Sequence, residues 1–151
     1  MFVDSSAESI TVVLDTNVLL SLYVFADSRF APLRSRIESG TWQAVTNEPC
    51  VAEFARVLNY PMFSLSAQAQ ENALAEYVYC VHRIENSAPS KLLAALPRCT
   101  DEDDQKFLEL ARDSRAKWLI TSDRALLKLN RRLKQSGLFM VITPEAALTE
   151  T

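Results

Sequence analysis

Thr11-Val12-Val13-Leu14-Asp15-Thr16-Asn17, continued by Val18-Leu19-Leu20, is the stretch whose reading decides the fold. A short apolar run rich in β-branched residues, passing at once into a second apolar periodicity, describes a buried parallel strand that feeds a helix. Asp15 then stands at the carboxyl end of a strand. In open α/β sheets ligands bind at that edge, because the loops there diverge and leave a crevice. A carboxylate fixed at such a point needs a compensating partner: helix-start amides, a cation or a metal ion. The plainest role for Asp15 is to cap the helix that begins near Asn17.

Working outward, the same pattern recurs. Residues 42–46 read as a second strand, and Thr46-Asn47-Glu48-Pro49 as a helix start with a capping residue and an early proline. Residues 117–121 form another compact apolar run that ends in Thr121-Ser122-Asp123, with helical periodicity resuming over 124–133. Residues 139–143 make a last strand, followed by Pro144 and a short terminal helix. Between these, 18–25 and 29–39 read as helices, the second stopping at Gly40, and 66–80 as a longer one. Residues 81–85 suit a short third strand, and 86–97, with two prolines, a connection with one helical turn. Strands alternating with helices predict an α/β fold: a parallel sheet covered on both faces, with right-handed crossovers.

Composition narrows the chemistry. At 151 residues the chain fits one domain, and no apolar run approaches the roughly 18 residues that span a bilayer. The first residues lack the basic region of a secretory signal, so a cytoplasmic location is expected. Cys50, Cys80 and Cys99 are widely spaced, which disfavours a disulfide framework or a zinc ribbon. One histidine, His82, and two glycines remove most zinc, His-based and phosphate-loop schemes. Carboxylates must therefore carry the chemistry.

Thr100-Asp101-Glu102-Asp103-Asp104 opens the strongest helical pattern, with Thr100 as a suitable cap. Acids are favoured in a first turn by the helix dipole, which alone explains such a cluster. Position adds more: Asp104, Phe107, Leu108 and Ala111 share one face, so Asp104 heads the buried stripe, and Asp101 shares its face. If the strands ending at Asp15 and Asp123 are neighbours, both acids reach one crevice. Carboxylates converging without histidine or cysteine repel one another unless cations enter, and such an all-oxygen set suits Mg²⁺ or Mn²⁺. Glu53 lies on the flank of the stripe formed by Val51, Phe54, Ala55 and Leu58; by spacing alone it reads as a solvated helix residue.

The net charge of −3 hides a polarised distribution. Residues 114–144 hold seven basic residues against Asp123, a local +6, which leaves the remainder at −9. Arg124, Lys128 and Arg131 fall at helical spacing just past Asp123 and suit either phosphate contacts or a solvated helix face.

Asp15-Thr16-Asn17, the helix from Thr46 past Glu53 to Arg56-Val57-Leu58, the segment Asp101-x-Asp103-Asp104-x-x-Phe107-Leu108-x-x-Ala111, and Thr121-x-Asp123 together resemble a PIN-domain ribonuclease. More narrowly, the chain is similar to the VapC-like toxin components of bacterial type II toxin–antitoxin pairs, over roughly residues 10–145. The resemblance implies a three-layer α/β/α arrangement around a five-stranded parallel sheet and a Mg²⁺- or Mn²⁺-dependent endoribonuclease acting on structured or single-stranded RNA. It implies an acidic quartet of Asp15, Glu53, Asp104 and Asp123, with Asp15, Asp104 and Asp123 toward the metal and Asn17 and Thr121 in support. Asp101 and Asp103 compete with Asp104 for one place. The implied partners are RNA, a cognate antitoxin and, as a family expectation, a second copy in a homodimer. A non-catalytic acidic module binding a cation or a partner is the rival expectation. A dehalogenase-like phosphatase, which expects Asp-x-Asp, and a receiver domain fit poorly.

Overall fold

The structure is a computed structural model and describes residues 9–85 and 95–150. Five parallel strands, β1 (Ile10–Leu14), β2 (Trp42–Thr46), β3 (His82–Arg83), β4 (Trp118–Ile120) and β5 (Met140–Ile142), line up in the order β3-β2-β1-β4-β5. The chain leaves β1 toward β2 and β3 on one side and returns to lay β4 and β5 on the other. This makes the carboxyl end of β1 the topological switch point, where an open sheet forms its crevice.

Strand alternation divides the core in two. Val12 and Leu14 face one side with Trp42, Trp118 and Ile120, against α1 (Thr16–Tyr23), α2 (Ala31–Glu38), α3 (Glu48–Leu58) and α4 (Ala67–Cys80). Val13 faces the other with Val45, Leu119 and Val141, against α5 (Gln105–Ser114), α6 (Arg124–Leu127) and α7 (Asn130–Gln135). A strand buried on both faces reads as a continuous apolar run, which is why Val12-Val13-Leu14 shows no polar alternation. The three layers expected from the resemblance are present. A last helix, α8 (Pro144–Thr149), is capped by Thr143 and sends Ala147 into the first core.

Most boundaries follow local chemistry. Asn47 caps α3 by accepting from the Cys50 amide at 3.2 Å, with proline in the first turn. Past α2 the chain turns at Gly40 with φ of +84°, a conformation glycine adopts without a Cβ penalty.

Three expectations are corrected. The helix anticipated over 29–39 is a 3-10 turn, Ser28–Phe30, followed by the shorter α2. Thr100 does not cap the acidic helix: Asp101 accepts from the Asp103 amide, a 3-10 turn Glu102–Asp104 follows, and α5 starts only at Gln105. The helix expected over 124–133 is broken into α6 and α7, so Arg124, Lys128 and Arg131 are exposed but do not share one helix. Most of the connection anticipated over 86–97 lies outside the described residues.

Candidate metal centre

Asp15 performs two tasks at once. Its Oδ1 accepts from the Val18 amide at 2.9 Å and caps α1, while Oδ2 accepts from the Thr121 hydroxyl. Thr121 Oγ1 in turn accepts from the Asp123 amide at 2.9 Å, so one hydroxyl ties the end of β1 to the loop after β4. Asp123 caps α6 by accepting from the Ala125 amide at 2.8 Å. With β1 and β4 paired in parallel, the two strand-end acids meet at the switch point, as the recurring pattern predicts.

One acid outside the quartet joins two of its members. Asp101, Asp104 and Asp123 each offer an oxygen within 4.8 Å of the others. Each oxygen of Asp15 accepts one hydrogen bond, and its carboxylate lines the same cleft as Asp104. Asp15 is 3% exposed, and its charge acts on Asp104. Asp103 is exposed on the 3-10 turn and is not part of the group. Asn17, also exposed, lines the cleft in the first turn of α1.

Glu53 departs from its local reading. It is 8% exposed, buried where α3 passes α1 and α5. Thr16 Oγ1 donates to its Oε2, and the Lys106 ammonium lies 2.5 Å from Oε1, with Arg56 at 3.9 Å from the same oxygen. Thr16 and Lys106 are the site residues that sequence reasoning missed. Thr16 stood inside the opening motif, whereas nothing local marks Lys106.

Asp15, Glu53 and Asp104 open into a cleft of about 280 Å³ with an apolar wall of Leu20, Val57, Tyr60 and Phe63. A larger hollow, about 800 Å³, lies between α2 and α4 near the amino ends of β2 and β3. Its acids, Glu38 and Glu76, are tied to Arg34, and the converging carboxylates are absent from its lining.

The electrostatics of the acidic group call for a cation. Burial first, then the hydrogen bond and charge of Asp123, push Asp104 from 3.8 up to about 8, with Asp101 and Asp15 adding to it. Burial likewise raises Asp15 to about 6, against the lowering effect of its bonds from Thr121 and Val18. Asp104 Oδ2 is buried without a hydrogen-bond partner. A buried, unpartnered carboxylate oxygen facing two other carboxylates fits a hard divalent ion, which prefers oxygen ligands.

Two expected results follow here. Without cation, Asp15 and Asp104 hold protons in the folded chain that the unfolded chain gives up above 3.8, so stability falls as pH rises through about 6 and about 8. A cation competes with the Asp104 proton, so Mn²⁺ affinity should climb about tenfold per pH unit between those values and level off above them. Calorimetric titration across that window checks it, and a flat profile would remove Asp104 from the ligands. Second, Thr121→Val leaves the buried Asp15 carboxylate without its donor and the Asp123 amide without its acceptor. It should cost about 2–3 kcal/mol in urea unfolding, whereas Ser at this position should restore most of the loss.

A search of curated proteins finds no match for this sequence. The fold is similar to that of a chain in the crystal structure of VapBC2 from Rickettsia felis bound to a DNA fragment from their promoter, with a TM-score of 0.53 and 17% identity. The match covers 89% of this chain and 98% of that one. The sequence model of the PIN domain matches residues 11–125, a span that runs from β1 through Asp123 and takes in every acid of the cleft. Switch-point topology, strand-end acids and that match agree, and the chain belongs to the PIN-domain family.

Proposed function

We propose that the chain is a divalent-cation-dependent endoribonuclease, using Mg²⁺ or Mn²⁺, and the toxin of a toxin–antitoxin pair. The observation that carries the reading is the convergence of Asp101, Asp104 and Asp123 within 4.8 Å around an unpartnered, buried Asp104 oxygen. When bound, a hard cation supplies Lewis acidity, making a water more acidic and offsetting the charge that builds on a phosphodiester under attack.

The remaining roles belong to the chain itself. Asp104, Asp123 and Asp101 hold the ion; Asp15, through Thr121, fixes the backbone that carries Asp123. Glu53, buried and held from two sides, stands as acceptor for the proton of the attacking water. Asn17 contributes a polar group at the cleft mouth. Exposed Arg124, Lys128 and Arg131 lie beyond Asp123, where they take phosphates on either side of the scissile bond. They position RNA without reading its sequence. Tyr60 and Phe63 on the apolar wall offer rings on which unpaired bases stack.

The toxin assignment rests on the likeness to a chain of VapBC2, a structure that holds promoter DNA. On this reading the chain has a cognate antitoxin whose inserting segment brings a basic side chain to the acids, assembles as a homodimer and works in the cytoplasm. No helix among the described residues is long and apolar enough to cross a membrane. The test is cleavage of a mixed RNA pool by purified protein in Mn²⁺, Mg²⁺ or EDTA. Cutting that needs the metal and is lost in an acidic-site variant supports the reading. Equal cutting by wild type and variant marks a contaminant, and binding of metal without cutting of any RNA favours a non-catalytic module.

A further inference from the structure

The acids of the cleft are not alike. Asp104 has a buried oxygen with no partner and faces Asp101 and Asp123, whereas both oxygens of Glu53 are already engaged, one by the Thr16 hydroxyl and the other by the Lys106 ammonium at 2.5 Å. Lys106 is itself anchored. It projects from the first turn of α5, its side chain is 20% exposed, and its ammonium also donates to the Asp103 carbonyl on the acid-bearing 3-10 turn.

We propose that Lys106 stands where a second divalent ion would otherwise bind, so that the centre takes one cation, on the side of Asp101, Asp104 and Asp123. A divalent ion bonded to Glu53 Oε1 at about 2 Å would lie within about 5 Å of the ammonium. Like charges at that separation in a water-poor cleft repel strongly. Two-metal hydrolases hold their ions about 3.5–4 Å apart, and Glu53, which lines the same cleft as Asp104 and lies outside the group of three, is the carboxylate that such a second ion would use. Lys106 supplies its positive charge permanently and without ligand exchange. It also ties α3 to the turn that carries Asp104, because one ammonium bridges Glu53 and the Asp103 carbonyl. Lys106 is thus a positioning residue that acts through Glu53.

The inference rests on the proposed metal centre, and its test needs no RNA. Full-length protein is titrated with Mn²⁺ alone, with bound ion counted by calorimetry and by the electron paramagnetic resonance of free Mn²⁺. Wild type should bind one ion. Lys106→Met, which keeps the bulk of the side chain and removes its charge, should bind two. Adding Glu53→Gln to that variant should return the count to one, and Lys106→Arg should bind one. A wild type that binds two ions overturns the inference and leaves the proposed function standing. A wild type that binds none overturns both. A folded Lys106→Met that still binds one removes the claim that the ammonium excludes an ion, and should that variant fail to fold, Lys106→Gln, which also removes the charge, takes its place with the same expected count of two.

Discussion

Asp104→Asn should lower the rate of RNA cleavage by about a thousandfold or more, about 4 kcal/mol of transition-state stabilisation, while leaving the cation-free fold intact. Asparagine has the size of aspartic acid but is neutral, so it imitates the protonated carboxyl. Burial and the neighbouring Asp123 hold Asp104 near 8, so at neutral pH the folded wild type and variant present nearly the same group, but the unfolded wild type ionises above 3.8 and the variant cannot, so the variant should already need more urea to unfold. The difference should be absent near pH 3.8, widen as pH rises to about 8 and level off above it, where the folded wild-type carboxylate also ionises, against Asp123, Asp101 and Asp15. Within the folded chain at neutral pH only the cation distinguishes them, because an amide oxygen is a weaker ligand than a carboxylate. Single-turnover cleavage in Mn²⁺, paired with urea unfolding near pH 3.8 and at neutral pH, separates the two effects. A variant that cuts like wild type would place the reaction elsewhere, and one that unfolds readily at neutral pH would make Asp104 a structural residue.

Trp118→Ala should act in the opposite sense, with a large loss of stability and a small change in turnover by each folded molecule. Trp118 lies in β4, which pairs with β1 on one side and β5 on the other, and it is 2% exposed. Its ring meets that of Trp42 edge to face, 5.4 Å between centroids and 87° between planes. Deleting it leaves a cavity that the rigid sheet cannot close, at a cost of about 3–5 kcal/mol. The shift is read as the change in urea midpoint at constant slope. A cost below about 1 kcal/mol would mean that the two rings are not packed as the structure has them.

The parts of the fold that could be read from sequence are those fixed by neighbours along the chain. Val12-Val13-Leu14 marks β1 because burial on both faces leaves a continuous apolar run, and Asp104 heads the buried face of α5 because Phe107, Leu108 and Ala111 follow at helical spacing. The parts that escaped depend on partners far away. Asn130 accepts from the Val141 amide of β5 at 2.7 Å, and Leu126, Leu129 and Leu133 all enter one core; these contacts accompany the break between α6 and α7 in what reads locally as one helix. Glu53 looks solvated from its own helix because Lys106 and Thr16, which enclose it, are distant in sequence. Asp101 appears helical by spacing, whereas its bond to the Asp103 amide turns the chain through a 3-10 segment before α5 begins. For the same reason the strand-end pair Asp15 and Asp123 was legible, and the approach of Asp101 to Asp104 and Asp123 was not.

The strand order also sets when, during synthesis, the site comes into being. β1 is made early and occupies the centre of the sheet, yet its neighbour β4 is made after β2, β3 and α5. Until Thr121 and Asp123 have emerged, Asp15 lacks its hydroxyl donor and Asp104 lacks its nearest carboxylate partner. A ribosome that stalls before that point leaves a fragment with half a sheet and no assembled acidic group. A nuclease of the proposed kind would have no assembled acidic group to turn on its own message until β4 and the loop after it have been made.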